Sequence, residues 1–416
     1  MMRALFAGVT GLRNHQTRMD VIGNNIANVN TVAFKASRVT FEEAFVQLLQ
    51  GAGRPIGNLG GTNPIQIGTG IHVGSTDQLF TQGSLETTGQ PLDLAIQGDG
   101  LFVVSDGQHR SYTRAGNFAL DASGNLVMPG TGFIVQGIMA DANGSFASTS
   151  AIGDLKLELG SKAPAHATTQ VALNGNLDAR AAVGDTHTLA ATVYDSLGTG
   201  HELKISLTNT APGQWTWSAS STTAPVTPAG TGTVTFNPDG SLATFTYPGG
   251  GAALTLTPPG AAAINVTLNP GTVGAIDGLA GFANTSNAAV SSQDGYPAGD
   301  LVNISVDNHG VITGFFTNGV SRDLAQVGLA SFNNPSGLMR SGGNVYEETA
   351  NSGLAIIGFA GGTNTSTITP GALESSNVDI SQEFTDMIIT QRGFQANARV
   401  ITTADEMLNE LVNLRR

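Results

Sequence analysis

Apolar positions near the start of the chain fall at Leu5, Val9, Leu12, Met19, Ile22 and Ile26, the three-to-four spacing of an amphipathic helix. The far end repeats more strictly. Ile380, Met387, Phe394, Ile401 and Leu408 recur every seven residues, with Phe384, Ala398 and Val412 at the alternate position and Gln391 and Asp405 interrupting it. Such a stripe predicts a long helix whose seam lies against another helix. Asp379 or Ser381 is placed to cap its start. Gly393, in its middle, is expected to weaken it by about 1 kcal/mol relative to alanine. The two helices are expected to pair, which puts both termini at the same end.

Between Asn24 and Thr31 the chain reads Asn24-Asn25-Ile26-Ala27-Asn28-Val29-Asn30-Thr31. Asparagine competes for backbone hydrogen bonds and tolerates left-handed backbone, so this cluster should end the first helix. Two readings stay open at this point. The cluster is a plain terminator, or Asn24, Asn25 and Asn28 present amides to neighbouring chains.

In the middle the period changes to two. Leu92-Asp93-Leu94-Ala95-Ile96, Leu101-Phe102-Val103-Val104 and Val302-Asn303-Ile304-Ser305-Val306 read as strands. Turns such as Gly98-Asp99-Gly100, Asp121-Ala122-Ser123-Gly124-Asn125 and Asp307-Asn308-His309-Gly310 divide them. These turns lack the alternating ligands and terminal Glu of a calcium loop. From 205 to 276 the only charged residue is Asp239, yet Trp215, Trp217, Phe236, Phe245 and Tyr247 alternate as strand faces do, so the stretch predicts a folded β domain. Gly51 to Gly70 is irregular and reads as a loop or as an extended segment packed along something else.

The predicted fold is mainly β with paired terminal α-helices, α+β in class, elongated and multi-domain. Residues 1–30 and 377–416 form a helical, coiled-coil-like pole, and 31–71 with 365–376 are extended connectors. Residues 72–150 and 292–364 make a discontinuous β-rich domain, into which 151–291 is inserted as an all-β domain.

Composition narrows the chemistry. In 416 residues, 31 Asp and Glu stand against 18 Lys and Arg, a formal charge of −13 that repels phosphate backbones, so no nucleic-acid partner is expected. Only Lys35, Lys156, Lys162 and Lys204 are lysines, and no run of about 20 apolar residues spans a membrane, so no membrane insertion is expected. The first residues lack the apolar run and cleavage site of a secretory signal, so export would have to proceed without a cleavable one. The absence of cysteine removes thiolate nucleophiles and cysteine-based metal sites. The histidines (His15, His72, His109, His166, His187, His201, His309) are scattered beside turns or on strand surfaces and read as solvated. No phosphate loop or nucleophile elbow occurs. In Gly51-Ala52-Gly53-Arg54-Pro55-Ile56-Gly57 the third glycine comes one place late for a dinucleotide fingerprint. Glu42-Glu43 and Glu347-Glu348 read as solvated edges. No catalytic site, metal site or cofactor is expected, and the chain reads as a non-enzyme.

A family likeness rests on longer motifs. Gly8-Val9-Thr10-Gly11-Leu12, followed by Asn24 through Val32-Ala33-Phe34-Lys35, resembles the N-terminal signature of the bacterial flagellar rod and hook axial proteins. Ser376-Asn377-Val378-Asp379-Ile380 and Gln391-Arg392-Gly393-Phe394-Gln395-Ala396-Asn397-Ala398 resemble the C-terminal one. Leu92 to Phe102 and Tyr112-Thr113-Arg114-Ala115-Gly116-Asn117-Phe118 are similar to segments shared by rod and hook members, and Val193-Tyr194-Asp195-Ser196-Leu197-Gly198 resembles the inserted outer domain of hook members. Ala33 stands where the family commonly has glycine, and Gly393-Phe394 where Ala-Tyr is usual.

The resemblance implies a structural subunit that polymerises with itself into a curved, flexible helical tube joining rod to filament. The tube would transmit torque as a universal joint and lie outside the cell in the flagellar hook. Implied partners are the distal rod protein, the hook-filament junction proteins, the hook cap protein, the hook-length control protein and the flagellar type III export apparatus. The expected assembly interface is Leu5, Val9, Leu12, Met19, Ile22, Asn24, Asn25, Ile26, Asn28, Ile380, Phe384, Met387, Phe394, Ala398, Ile401 and Leu408, meeting within and between subunits. Exposed helices of this kind are marginal alone, so the ends are expected to be disordered in the monomer and to fold on assembly. A distal rod subunit, or a secreted β-rich adhesin or binding module, are the alternatives.

Overall fold

The computed structural model describes residues 2–55, 60–141, 144–147, 151–157, 160, 162–362 and 366–413. Ile56 and Gly57 of the near-fingerprint, and the domain-boundary residues 1, 150, 365 and 416, lie outside the described residues. Two helices, α1 (Met2–Ala27) and α2 (Ile380–Asn413), flank a succession of strands. Among the described residues no helix is long and apolar enough to cross a membrane.

The chain forms two compact units. The first holds Met1–Glu158, Ile304–Gly314 and Arg322–Arg416. Its sheet centres on Leu101–Ser105, which pairs antiparallel with Arg110–Thr113 and with Ile134–Met139. Arg110–Thr113 continues through Val345–Glu347 to Met339–Gly342. Leu101, Val103, Tyr112, Ala330, Phe332, Leu338 and Tyr346 close a core over it. The Tyr112 and Phe332 rings meet edge to face, 4.8 Å apart.

Short ladders tie the two arms of the chain to this body. Thr367–Pro370 pairs with Leu94–Gln97, and Ala372–Glu374 with Leu85–Thr87. After α1 the chain enters strand Ser37–Glu43, paired with Ile71–Gln78. It then makes an outlying hairpin in which Val46–Gln50 pairs with Ile65–Gly68. The irregular Gly51–Gly70 stretch thus supplies a strand that its glycine-rich composition conceals.

The second unit holds Leu159–Asn303 and Phe315–Ser321. One antiparallel sheet runs in the order Thr186–Tyr194, Gly200–Ala211, Gln214–Ser221, Gly232–Phe236, Leu242–Thr246. The other is built on Gln170–Asn176, which pairs in parallel with Ile264–Asn269 and antiparallel with Ala289–Gln293. Trp215 and Trp217 fill the core with Leu189, Leu203, Ile205, Val234, Leu254 and Val266, and Phe245 stacks on Trp217.

His201 and His15 depart from the expected solvated places, His15 by lying half-buried in α1. His201 is buried, its Nε2 lying 3.1 Å from Asp195 Oδ2 and its Nδ1 2.9 Å from Thr223 Oγ1. Asp195 Oδ1 also accepts the backbone N–H groups of Leu197 and Thr199. A strand histidine at an inward position stays buried when both ring nitrogens find partners.

Candidate assembly interface

α1 ends where the asparagines predict. Asn28 donates through Nδ2 to the Asn24 carbonyl, and its Oδ1 accepts from the Thr31 hydroxyl. Asp379 caps α2, its Oδ1 accepting the N–H groups of Ser381 and Gln382.

The helices run antiparallel along a seam that is small and polar. A Cβ on Gly8 would stand 3.0 Å from Ile401 Cγ1, and one on Gly11 2.6 Å from Asn397 Nδ2. One on Gly393 would stand 2.6 Å from His15 Cε1. Glycine permits these approaches because nothing projects from its Cα. Farther along, Arg18 pairs with Asp386 at 3.1 Å, and Asn25 donates to Glu383 at 2.9 Å. Gly393 therefore does more than weaken α2, since it makes room for the His15 ring. Burial, with the Arg18 charge adding to it, holds that imidazole below the ordinary histidine value. Burial, reinforced by Asp386, raises the Glu383 carboxyl.

The seam is displaced by one residue from the alternate positions of the apolar stripe, while Ile401 of the seven-residue repeat stays in it against Gly8. Glu383 and Asn397 meet α1, and Thr390 and Ala404 are buried, where the heptad had placed Phe384, Gln391, Ala398 and Asp405. Of the expected interface, Ile22 and Asn25 are buried, and Leu5, Leu12, Met19, Ile26, Asn28, Met387, Ala398, Ile401 and Leu408 are half-buried. Val9, Asn24, Ile380, Phe384 and Phe394 are exposed. Ile380, Phe384 and Ile388 form a ridge at i, i+4 spacing, with Ile389, Val400, Met407, Leu411 and Val412 also exposed on α2.

Asn25 turns inward. Its amide accepts from and donates to the Ser37 backbone at 3.0 and 2.9 Å, besides the bond to Glu383. It thereby fixes the exit from α1 to the strand that follows and to α2. Asn25→Ala is expected to cost about 1–3 kcal/mol by leaving buried backbone groups unpaired. Asn24→Ala, at an exposed side chain, should stay within about 0.5 kcal/mol. Thermal unfolding of the two variants side by side checks the contrast.

A second node joins this region to the first unit's sheet. Glu374 accepts from Lys35 Nζ at 2.7 Å and from Arg114 Nε at 2.6 Å, with all three side chains buried. It also accepts the Gly83 N–H at 2.7 Å. Lys35 Nζ reaches the Thr81 carbonyl, and Arg114 reaches those of Ile96, Gly98 and Gly100. Burial pulls the Glu374 carboxyl upward, but the Arg114 and Lys35 charges outweigh it and hold it below the ordinary carboxylate value. Burial likewise lowers the Lys35 ammonium, only partly offset by Glu374. Beside this node Asn377 clasps the Ala36 N–H and the Leu79 carbonyl, while Ala33 takes a left-handed φ of 55°. That backbone suits glycine, the residue common in the family at this place.

The outlying hairpin completes the exposed apolar surface. Phe45 is 90% exposed, and Val46, Leu48, Leu49, Ile65 and Ile67 are exposed with it. A two-stranded hairpin is marginal by itself in water. Of these side chains, Ile65 and Ile67 fall in the glycine-rich stretch from Gly51 to Gly70, and two such residues give no periodic signal.

Family models match four stretches of the chain. They are Flagella basal body rod protein (5–35), Flagellar hook protein FlgE/F/G D1 domain (95–173), Flagellar basal body protein FlaE D2 domain (164–296) and Flagellar basal body rod FlgEFG protein C-terminal (369–414). The chain is 40% identical to the flagellar hook protein FlgE of Borreliella burgdorferi, and 40% identical to that of Treponema pallidum, covering 100% of each chain in both comparisons. A crystal structure of Helicobacter pylori flagellar hook protein FlgE2 matches with a TM-score of 0.52 at 16% identity, covering 70% of this chain and 100% of that one, a likeness of fold.

Proposed function

The chain belongs to the family of flagellar hook proteins and is a structural subunit of the bacterial flagellar hook, and from that premise we propose that it builds the hook by copying one contact set from subunit to subunit. The product is a curved, flexible helical tube that couples rod to filament and passes torque as a universal joint. The observation that carries this is the unburied apolar surface at one region of the chain. The seam between α1 and α2 consumes glycines and polar groups, while Phe6, Val9, Ile380, Phe384, Ile388, Ile389 and the Phe45 hairpin stay in solvent. Exposed apolar area of this extent marks a surface that another molecule covers.

On this reading residues 1–30 with 377–416 form the assembly domain. Residues 31–71 with 365–376 connect it to a β-rich domain of 72–150 and 292–364, and 151–291 is the outer insert. The distal rod protein, hook-filament junction proteins, hook cap, hook-length control protein and type III export apparatus are the proposed further partners. Export would proceed without a cleavable signal peptide, and the role is mechanical rather than catalytic. The rod reading is weaker, because full-length relatives at 40% identity carry the hook name. The adhesin reading leaves the paired terminal helices without a purpose.

Electron microscopy of the full chain, concentrated in high salt, beside a version lacking 1–25 and 380–416 tests the proposal. Tubes are expected from the full chain alone. Equal tubes from both would move the polymer contacts to the β units and overturn the assignment of the helices.

A further inference from the structure

The two helices close over an imidazole. The His15 ring fills the room that Gly393 leaves on α2: a Cβ on that glycine would stand 2.6 Å from Cε1 and 2.7 Å from Nε2. The ring also meets Phe41, on the strand Ser37–Glu43, edge to face with centroids 6.0 Å apart. Its Nδ1 is buried and, among the described residues, has no hydrogen-bond partner. A neutral imidazole can leave one nitrogen as a bare acceptor. Protonation puts an N–H on both nitrogens and a charge on the ring. A buried polar group without a partner costs most when it is charged.

The surrounding charges do not take up that proton. The charge that acts on the ring is Arg18, one turn along α1, and it opposes a second positive charge. On α2, Asp386 is paired with Arg18 at 3.1 Å, Glu383 accepts from Asn25, and Arg392 is exposed. The strand Ser37–Glu43 brings Arg38, Glu42 and Glu43, and its partner Ile71–Gln78 brings His72 and Asp77. Arg38 pairs with Asp77 at 3.4 Å and Glu42 with His72 at 3.6 Å, while Glu43 is exposed.

We infer that His15 is a proton-operated latch on the seam between α1 and α2: the neutral ring lets the helices close, and the protonated ring parts them. The inference rests on the hook-subunit reading, because it makes assembly through these helices sensitive to acid. Its pH window follows from the sign of the shift. Burial and Arg18 hold the ring below its ordinary 6.5 when the helices are closed. The seam is therefore at full strength above that pH. As pH falls below 6.5 the open form takes the proton first, and the seam weakens until the lower, closed-form value is passed. Glu383 works in the opposite sense. Its carboxyl is raised above 4.5, so the closed seam holds its proton better than the open form does.

The test measures the concentration of chain left unassembled beside tubes, by sedimentation between about pH 7.5 and about pH 5.5, the span in which an ordinary histidine changes charge. His15→Gln and His15→Phe keep a neutral side chain throughout, and His15→Lys keeps a charged one. Every other titrating group, Glu383 included, is common to all four chains. For the unmodified chain that concentration should rise severalfold on acidification, by at most about tenfold per pH unit for one proton per subunit. The neutral variants should rise clearly less, and His15→Lys should already be high at the neutral end. One neutral variant that assembles is enough for the comparison. An equal rise in the unmodified chain and the neutral variants overturns the latch and leaves the hook reading intact. So does failure of both neutral variants at the neutral end, or assembly of His15→Lys there as readily as the unmodified chain. No tubes from the unmodified chain at any pH overturn both.

Discussion

Glu374→Ala lowers the stability of the first unit by about 3–5 kcal/mol, the cost of leaving buried charges without their partner. The side chain has no exposure, and Lys35 and Arg114 converge on its two oxygens. Removing it strands an ammonium and a guanidinium among the carbonyls of Thr81, Ile96, Gly98 and Gly100. It also frees the Gly83 N–H. Two probes separate the effect. Both tryptophans, Trp215 and Trp217, lie in the second unit, so their fluorescence transition in urea should hold its midpoint. Circular dichroism also sees the first unit, and its transition should move to much lower urea. Acid gives a second readout. Because the folded carboxyl titrates below its ordinary 4.5, its contribution is complete above that pH and is lost as pH falls through the lower folded value. In Glu374→Gln that acid-dependent part should vanish. A shift under about 1 kcal/mol on Glu374→Ala, smaller than an ordinary buried hydrogen bond is worth, would show the node to be dispensable.

This node also marks where sequence reasoning stops. The helices were legible because one face of each is apolar at a spacing only a helix uses. The β units were legible because Trp215, Trp217 and Val234 alternate with threonines. A seam of Gly8, Gly11, Asn25, Thr390 and Asn397 leaves no apolar trace, so the alternate positions of the stripe on α2 pointed one residue away from the contact, although Ile401 lies in it. Lys35 and Arg114 lay within motifs that carried the family likeness, yet nothing along the chain relates them to Glu374. The interval from 114 to 374 holds the whole second unit, and it is the ladders of Thr367–Pro370 with Leu94–Gln97 and of Ala372–Glu374 with Leu85–Thr87 that bring the carboxylate home.

The displaced seam leads to the other large effect, one on assembly rather than folding. Phe384→Asp combined with Ile388→Asp leaves the monomer's thermal midpoint nearly unchanged and abolishes tube formation at concentrations where the unmodified chain polymerises. In the single chain both side chains are at least half exposed, 50% and 58%, so little contact is lost within it. Surface substitutions of this kind usually fall within about 0.5 kcal/mol. In a polymer the same side chains are proposed to be covered by neighbours, each worth about 1.5–3 kcal/mol on full burial. Every 1.4 kcal/mol is tenfold in affinity, and about half of each side chain is left for a neighbour to bury, so losing both raises the concentration needed for assembly by about tenfold or more, before the cost of burying two carboxylates. Glu383→Ala one residue away behaves in the opposite sense. It breaks the bond from Asn25 and loosens the pair of helices, yet leaves the Ile380–Phe384–Ile388 ridge in place. Sedimentation of the assembled fraction against concentration, with a melting curve on each monomer, separates the two behaviours. If the double variant polymerises like the unmodified chain, the apolar ridge is not what neighbouring subunits grip, and the polar seam must open to make the contact between chains.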